Sequence, residues 1–258
     1  MRFDTDLSAC AALVQRADPD RFMAAMAAPV AARPILFPLY ALNVEVSRAP
    51  WVTGEAMIAD IRLQWWRDAL SEIATGGVVR HHEVLTPLAK VITPEQAGDL
   101  DEMVSVRRWD IYKEPFENRE HFDRHIDQTS GSLMWVAARC LGPADEGVVR
   151  DFAWAVGLTG WLRAVPELRA RGRMPLPDGS DAAIRALASD GLARLARARG
   201  SRALVSRAAG PALLVGWQAE TLLRQVLRDP DRVDAGTLGQ REIGRRASLM
   251  AKVVTGRW

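Results

Sequence analysis

Three arginines and one acid stand close together in residues 162–177, at spacings that could hold an anion. They are Arg163, Arg171 and Arg173, with Glu167 among them. A guanidinium binds phosphate through a planar fork of N–H donors and needs no metal ion to do so. A lone carboxylate, in contrast, offers too few oxygen ligands for Mg²⁺. The segment is therefore compatible with metal-independent phosphate binding, or with a structural role in which the last two arginines fix a loop after a helix.

Acidic residues elsewhere have the spacing of a metal site. Asp123 and Asp127, and likewise Asp110 and Glu114, lie four residues apart and would share one face of a helix. Because basic residues surround both pairs, the sequence favours ordinary solvated faces there. Glu45 differs, since it lies in an apolar run where an unpaired carboxylate is costly. We expect it to form a structural ion pair or to remain from a polar cavity. Its candidate partners are Arg48, Arg62 and Arg163.

Charge balance and cysteine content limit the function classes. The chain has 34 Lys and Arg against 32 Asp and Glu, a net charge of +2, so no nucleic-acid partner is expected. Cys10 and Cys140 are far apart and form no metal-binding spacing, which indicates a reduced, cytoplasmic setting. We expect no secretory signal, and no apolar run approaches the ~18 residues of a membrane-spanning helix.

Arginine alternates with alanine and leucine over residues 182–208. This basic amphipathic pattern is compatible with peripheral contact on the anionic inner membrane, and a solvated surface is the more common explanation for it.

The elements that must position these side chains are predicted to be helices throughout. Alanine, leucine and arginine dominate, and no Asn-Gly or Asp-Gly turn separates alternating apolar residues. Asp18 before Pro19 predicts a helix start, as does Thr93 before Pro94 with Gln96 as its capping-box partner. We expect one all-α domain over residues 1–258. The predicted helices are 4–17, 19–27, 30–48, 54–76, 80–90, 94–113, 117–141, 144–165, 180–199, 201–228 and 238–254.

Residues 162–177 resemble the second aspartate-rich segment of the squalene/phytoene synthase family, which reads roughly L-R-D-V-x-E-D-x-x-R-G-R-x-Y-L-P. Ala164 and Leu168 stand where that pattern has two aspartates. The positions that agree with it are Leu162, Arg163, Val165, Glu167, Arg171, Gly172, Arg173, Leu176 and Pro177.

Further segments resemble the same family in the same order, over about residues 20–180. Residues 33–45, with Tyr40, are similar to the opening helix that precedes the first aspartate-rich segment. The other similar segments are 20–26, 61–68, 109–115 and 129–134.

The resemblance implies an isoprenoid-synthase-type bundle of helices around a central cavity. In active members, carboxylates on two helices hold Mg²⁺ ions that neutralise a diphosphate leaving group. Here Ser47 and Arg48 occupy the first acidic segment, and His125 falls at or near the place of a tyrosine. We therefore expect no metal cofactor and assign no catalytic residue. Diphosphate-facing positions carried over from the family are Arg163, Arg171, Arg173, Glu45, Glu167 and Tyr40.

Two functions follow from this pattern. The first is a non-catalytic accessory factor, similar to the family branch that includes the mitochondrial assembly factor for respiratory complex I, the NADH dehydrogenase. Its partner would be a membrane-protein assembly intermediate, and an isoprenoid or anionic lipid would occupy the cavity. The alternative is an active Mg²⁺-dependent prenyltransferase that condenses two isoprenoid diphosphates through metal ligands placed elsewhere. The missing aspartates favour the first.

Overall fold

The computed structural model describes residues 5–52, 54–112 and 114–258, and within them it contains helices and no β-strand. The predicted all-α class is confirmed. The helices are α1 (Thr5–Ala17), α2 (Pro19–Ala27), α3 (Arg33–Arg48), α4 (Ala56–Ala74), α5 (Leu85–Leu88), α6 (Pro94–Val106), α7 (Trp109–Tyr112), α8 (Arg119–Ile126), α9 (Ser132–Leu141), α10 (Glu146–Ala170), α11 (Asp181–Gly200), α12 (Ala219–Arg228), α13 (Asp231–Asp234) and α14 (Glu242–Thr255). Tighter 3-10 turns occupy Val30–Ala32, Ala49–Trp51, Arg202–Leu204 and Gly210–Gly216, and a wider π-turn occupies Asp127–Gly131.

Two largely buried helices, α3 and α10, organise the core. Helix α3 packs on α1, α5 and α9, while α10 packs on α9, α11 and the π-turn. Gly157 permits the last of these contacts, because a Cβ there would lie 2.6 Å from the Cβ of Ser130. Other residues of both helices face a cavity. In the described ranges, no helix is long and apolar enough to cross a bilayer.

The helix starts follow the capping chemistry read from the sequence. Asp18 accepts a hydrogen bond from the Arg21 backbone N–H at 2.9 Å at the start of α2. Thr93 and Gln96 form the reciprocal capping box of α6. These side chains satisfy N–H groups that have no partner inside the helix. Both predicted starts are confirmed.

Several predicted boundaries are wrong. Residues 201–228 do not form one helix, because α12 begins at Ala219 and 3-10 turns precede it. Gly216 lies against Phe152, where a Cβ would come within 2.4 Å of the ring, and this contact fixes a tight turn. The predicted helix 80–90 shrinks to α5, and the prediction over 117–141 is interrupted by the π-turn.

Other predicted helices differ mainly in length. The prediction over 94–113 divides into α6 and α7, and its last residue lies outside the described ranges. Helix α10 continues five residues past its predicted end at 165.

Four arginines of residues 182–208 bind within the protein. Arg194 and Arg197 both pair with Asp151, at 3.3 and 2.9 Å, and Arg199 pairs with Glu220. Arg185 donates to the backbone carbonyl of Leu227 at the end of α12. These four arginines join α11 to α10 and α12, while Arg197 remains exposed to solvent. Peripheral membrane contact at this stretch stays a prediction.

Candidate functional site

A cavity of about 1050 Å³ lies among α1, α2, α3, α10 and the turns between α6 and α9. From α3 it is lined by Asn43, Val44, Ser47 and Arg48, and the following turn adds Trp51. The π-turn contributes hydroxyl-bearing side chains. Helix α10 contributes the longest wall, with residues that lie three or four apart and so share one face. These are Val156, Gly157, Gly160, Trp161, Arg163, Ala164, Glu167 and Leu168.

Ser47, Arg48, Ala164 and Leu168, which stand where the family pattern has acids, all face this cavity. Their side chains comprise a hydroxyl, a guanidinium, a methyl group and an isobutyl group. Carboxylate oxygens are the protein ligands that Mg²⁺ requires, so the residues at this site do not fit the metal cluster that the family pattern implies.

The acids that do line the cavity are engaged by arginine. Asp110 pairs with Arg107 at 3.3 Å, and Glu167 pairs with Arg171 at 2.6 Å. Asp18 pairs with Arg21; burial acts to raise the pKa of Asp18, but the adjacent guanidinium outweighs it and the pKa is lowered. No group of three His, Cys, Asp or Glu side chains that could hold a metal ion occurs in the described parts of the chain.

Arginine outnumbers acid around the cavity. Two of its arginines, Arg16 and Arg48, have no hydrogen-bond or ion-pair partner among the residues whose placement is described. An excess of positive charge in a concave site raises the local concentration of anions. The cavity therefore suits a ligand with phosphate or carboxylate groups. The six arginines that line it are Arg16, Arg21, Arg48, Arg107, Arg163 and Arg171.

Trp51 carries two stacked guanidiniums. The Cζ of Arg171 lies 4.7 Å from the ring centroid and that of Arg173 lies 4.9 Å from it. Arg173 also stacks on Trp109 at 5.4 Å and is only 5% exposed. Burial lowers the pKa of Arg173, which the Asp110 carboxylate opposes. An arginine–tryptophan cluster thus joins the end of the first matched segment to the loop after α10.

The residues predicted from the family separate into two groups. Arg163, Glu167 and Arg171 line the cavity, and the first of these donates to Asp20 at 2.8 Å. The remaining three do not line it. Of these, Arg173 stacks on the Trp51 ring and is not part of the cavity lining.

The other two residues that do not line the cavity are Tyr40 and Glu45. Tyr40 is buried under the Arg21 guanidinium, and burial raises its pKa. Glu45 is half-buried and has no arginine partner in the described ranges, so the predicted ion pair is wrong.

The two acidic pairs named in the sequence have different surroundings in the structure. Asp123 and Asp127 form ion pairs with Arg119 at 2.8 Å and Arg150 at 3.1 Å, which confirms an ordinary charged surface. Asp110 is buried at 4% exposure and lines the cavity, so its assignment to a solvated face is wrong. The chain places it there because α7 is a separate short helix rather than the end of α6.

His125 is buried in an aromatic cage beside the cavity. Its ring centroid lies 5.1 Å from those of Trp109 and Trp161 and 5.5 Å from that of Phe116. Neither ring nitrogen has a hydrogen-bond partner among the described residues. Burial lowers the pKa of His125 to about 4, with the nearby Asp110 acting in the opposite sense. His125 is therefore neutral in the folded protein at neutral pH.

This burial makes stability depend on pH. Between pH 6.5 and pH 4 the unfolded chain protonates His125 and the folded chain does not, so we expect the free energy of unfolding to fall as the pH is lowered. The full shift corresponds to roughly 3 kcal/mol. Urea unfolding at pH 7 and pH 5 should show a smaller pH effect in His125→Phe than in the unmodified protein. Equal pH effects in both proteins would contradict this assignment.

Known proteins share a sequence pattern and a fold with this chain. The squalene/phytoene synthase family model matches residues 14–180. A solved dehydrosqualene synthase in complex with ligand superimposes with a TM-score of 0.76 at 14% identity, over 97% of this chain and 95% of that one. Squalene synthase HpnC from Alicyclobacillus acidocaldarius superimposes with a TM-score of 0.60, also at 14% identity, over 97% and 94% of the two chains.

Curated relatives carry a different name. The chain is 23% identical over 173 residues to bovine (Bos taurus) NADH dehydrogenase (ubiquinone) complex I, assembly factor 6. This match covers 65% of this chain and 52% of that protein. It is 26% identical over 177 residues to the Drosophila melanogaster homolog of that factor, and this match covers 64% of this chain and 52% of that protein. The chain thus spans about half the length of the curated relatives that it matches. Since the family model covers most of the chain and both solved structures share its fold, the chain belongs to the squalene/phytoene synthase family.

Proposed function

We propose that this chain is a non-catalytic member of its family that assists the assembly of respiratory NADH dehydrogenase, acting on a membrane-protein assembly intermediate from the cytoplasmic side of the inner membrane. The observation that carries the proposal is the set of cavity positions where metal-binding carboxylates are replaced. Arg48 in particular brings positive charge to a place that would have to coordinate cations, and Trp51, three residues later, stacks with the Arg171 guanidinium. The names of the curated relatives support the choice of NADH dehydrogenase as the enzyme that is assembled.

The expected lack of prenyltransferase activity can be assayed directly. Purified protein is incubated with Mg²⁺ and farnesyl or geranylgeranyl diphosphate, and pyrophosphate release is measured. We expect none above the rate without protein, because Ser47, Arg48, Ala164 and Leu168 cannot hold the Mg²⁺ ions that would neutralise the leaving group. Sustained turnover would overturn the proposal and favour the prenyltransferase alternative.

The assembly role is tested in the host organism. Deleting the gene should lower NADH dehydrogenase activity in isolated membranes and leave squalene-type lipids and carotenoids unchanged. A plasmid copy of the unmodified chain should restore the activity. A deletion strain with normal NADH dehydrogenase and depleted isoprenoid lipids would contradict the assembly role.

We further propose that the cavity retains an anionic ligand, of which a prenyl diphosphate or another phosphate-bearing lipid is the expected class. Six arginines supply N–H donors for the phosphate, and Val44, Val156 and Leu168 supply apolar wall for a hydrocarbon chain. Arginine forms charge-assisted bonds to phosphate without a metal. Binding should therefore persist in EDTA, which separates it from the Mg²⁺-dependent binding of an active synthase.

A further inference from the structure

Helix α14 exposes an apolar stripe to solvent. Ile243, Met250 and Val254 are 85, 60 and 79% exposed, and their spacing of seven and four residues places them on one face of the helix. The small side chains Ala247 and Ala251 lie between them and are also exposed. Three large exposed apolar side chains aligned on one helix exceed the scattered exposure that is ordinary for a protein surface.

The fold holds this stripe outward. The opposite face of α14 packs on α2 and on the 3-10 turn Gly210–Gly216, with Leu249 buried at 4% exposure. Arg245 binds Asp20 of α2 at 2.9 Å, and the indole N–H of Trp217 donates to the Arg245 carbonyl at 3.2 Å. These contacts fix the rotation of the helix about its axis. The apolar stripe consequently cannot turn inward without breaking them.

Basic residues flank the stripe. Residues 241–257 contain five basic residues and one acidic residue, a net charge of +4, although Arg245 is turned toward Asp20 on the opposite face. Arg246 lies on the exposed side of the helix, where it pairs with Glu242, and Arg257 follows the end of the helix. Burial lowers the pKa of Lys252, and the charges of Arg199, Arg202 and Arg257 lower it further against the opposing charge of Glu220.

We propose that α14 is a membrane-docking surface, which lies on an anionic bilayer with Ile243, Met250 and Val254 inserted among the lipids and the surrounding cations on the headgroups. A helix with an apolar face and a basic rim has the chemistry of an interfacial anchor. A second copy of this chain fits less well, because it would bring two segments of net positive charge into contact. The docking surface deepens the proposed role in assembling a membrane enzyme, on which its physiological meaning rests.

Vesicle sedimentation tests the surface. We expect the unmodified protein to bind vesicles of phosphatidylcholine and phosphatidylglycerol in equal amounts, and to release them as salt is raised, because each basic residue near an anionic surface is attracted electrostatically. Vesicles of phosphatidylcholine alone should bind at least about tenfold more weakly. Ile243→Glu combined with Val254→Glu should reduce binding to the anionic vesicles by at least about tenfold.

A matched control separates this effect from a general change in charge. Met57→Glu with Val78→Glu alters two apolar side chains that are 70 and 93% exposed on other segments, and should leave vesicle binding unchanged. Both double variants should unfold at the same urea concentration as the unmodified protein.

Three outcomes would overturn the proposal. They are failure of the unmodified protein to bind anionic vesicles, equal binding by the α14 variant, and a dimer in sedimentation that the α14 variant abolishes. The last outcome would identify a second copy of the chain as the occupant. Loss of NADH dehydrogenase activity is not part of this assay, so failure of the assembly role and failure of the docking surface are distinguishable.

Discussion

Replacing Arg48 and Arg171 with glutamine is expected to weaken the binding of inorganic pyrophosphate or a prenyl diphosphate about 100-fold in EDTA. Both guanidiniums line the cavity, and Arg48 has no competing partner in the described ranges. A hydrogen bond to a charged group contributes about 1.5 kcal/mol or more, so the loss of two corresponds to roughly a factor of 100 in the dissociation constant. Isothermal titration calorimetry measures the change directly.

Two companion variants sharpen this test. Arg62→Gln with Arg228→Gln removes two exposed charges that are not part of the cavity lining, and should leave pyrophosphate binding within about twofold. Gly160→Trp should block a prenyl diphosphate while all arginines remain, because a Cβ at this cavity-lining position meets no atom within 4 Å and the ring can extend into the open space. Binding that requires Mg²⁺, or that survives the loss of both cavity arginines, would contradict metal-independent recognition.

Asp20→Ala is expected to lower the free energy of unfolding by about 3 kcal/mol. The Asp20 carboxylate accepts from Arg163 at 2.8 Å, Arg245 at 2.9 Å and Gln218 at 3.0 Å. It thereby joins α2 to α10, to α14 and to the start of α12, and it is only 19% exposed. Removing it leaves two guanidiniums without this counter-charge. Urea or thermal unfolding followed by circular dichroism measures the loss.

Glu146→Ala is the appropriate comparison for Asp20→Ala. Glu146 makes one ion pair, with Arg150 four residues along the same helix, and is 51% exposed. Exposed pairs of this kind contribute less than about 1 kcal/mol. Should both substitutions have equal effects, Asp20 would be an ordinary surface acid and not a junction between helices.

Much of the fold could be predicted because its signals are local. The helix starts at Asp18 and Thr93 depend on a side chain and a backbone N–H three residues away, and both formed as the sequence indicated. Motif order and helical spacing also indicated which face of α10 carries Ala164 and Leu168. The cavity lining then places Ser47, Ala164 and Leu168 on its walls.

Several differences from the predictions depend on contacts between distant parts of the chain. The ion pairs of Arg194 and Arg197 carry no local signal, because Asp151, their shared partner, lies about forty residues earlier. The turn before α12 follows from the approach of Gly216 to Phe152, which lies far away in the sequence. The ion pair considered for Glu45 does not form, because an apolar helical pattern does not specify which partner a side chain reaches.

The cavity arginines outside the matched motifs were missed for the same reason. Arg16, Arg21 and Arg107 come from three different helices or turns, and each has an ordinary local sequence. Only the packing of α1, α2 and α6 around α3 and α10 brings them to one concave surface. A single sequence contains no periodicity or spacing that joins such residues. The exposed stripe on α14 did have a signal, in the spacing of Ile243, Met250 and Val254.

The cluster of Trp51 with Arg171 and Arg173 bears on what an acidic side chain would do at this wall of the cavity. An aspartate at 51 would remove the ring on which both guanidiniums stack, and Arg173, which is buried, would lose one of its two aromatic neighbours. Ser47, Arg48, Ala164 and Leu168 would still lack carboxylates. A single acidic substitution at this wall would therefore remove stacking contacts without creating a group of carboxylates that could hold Mg²⁺.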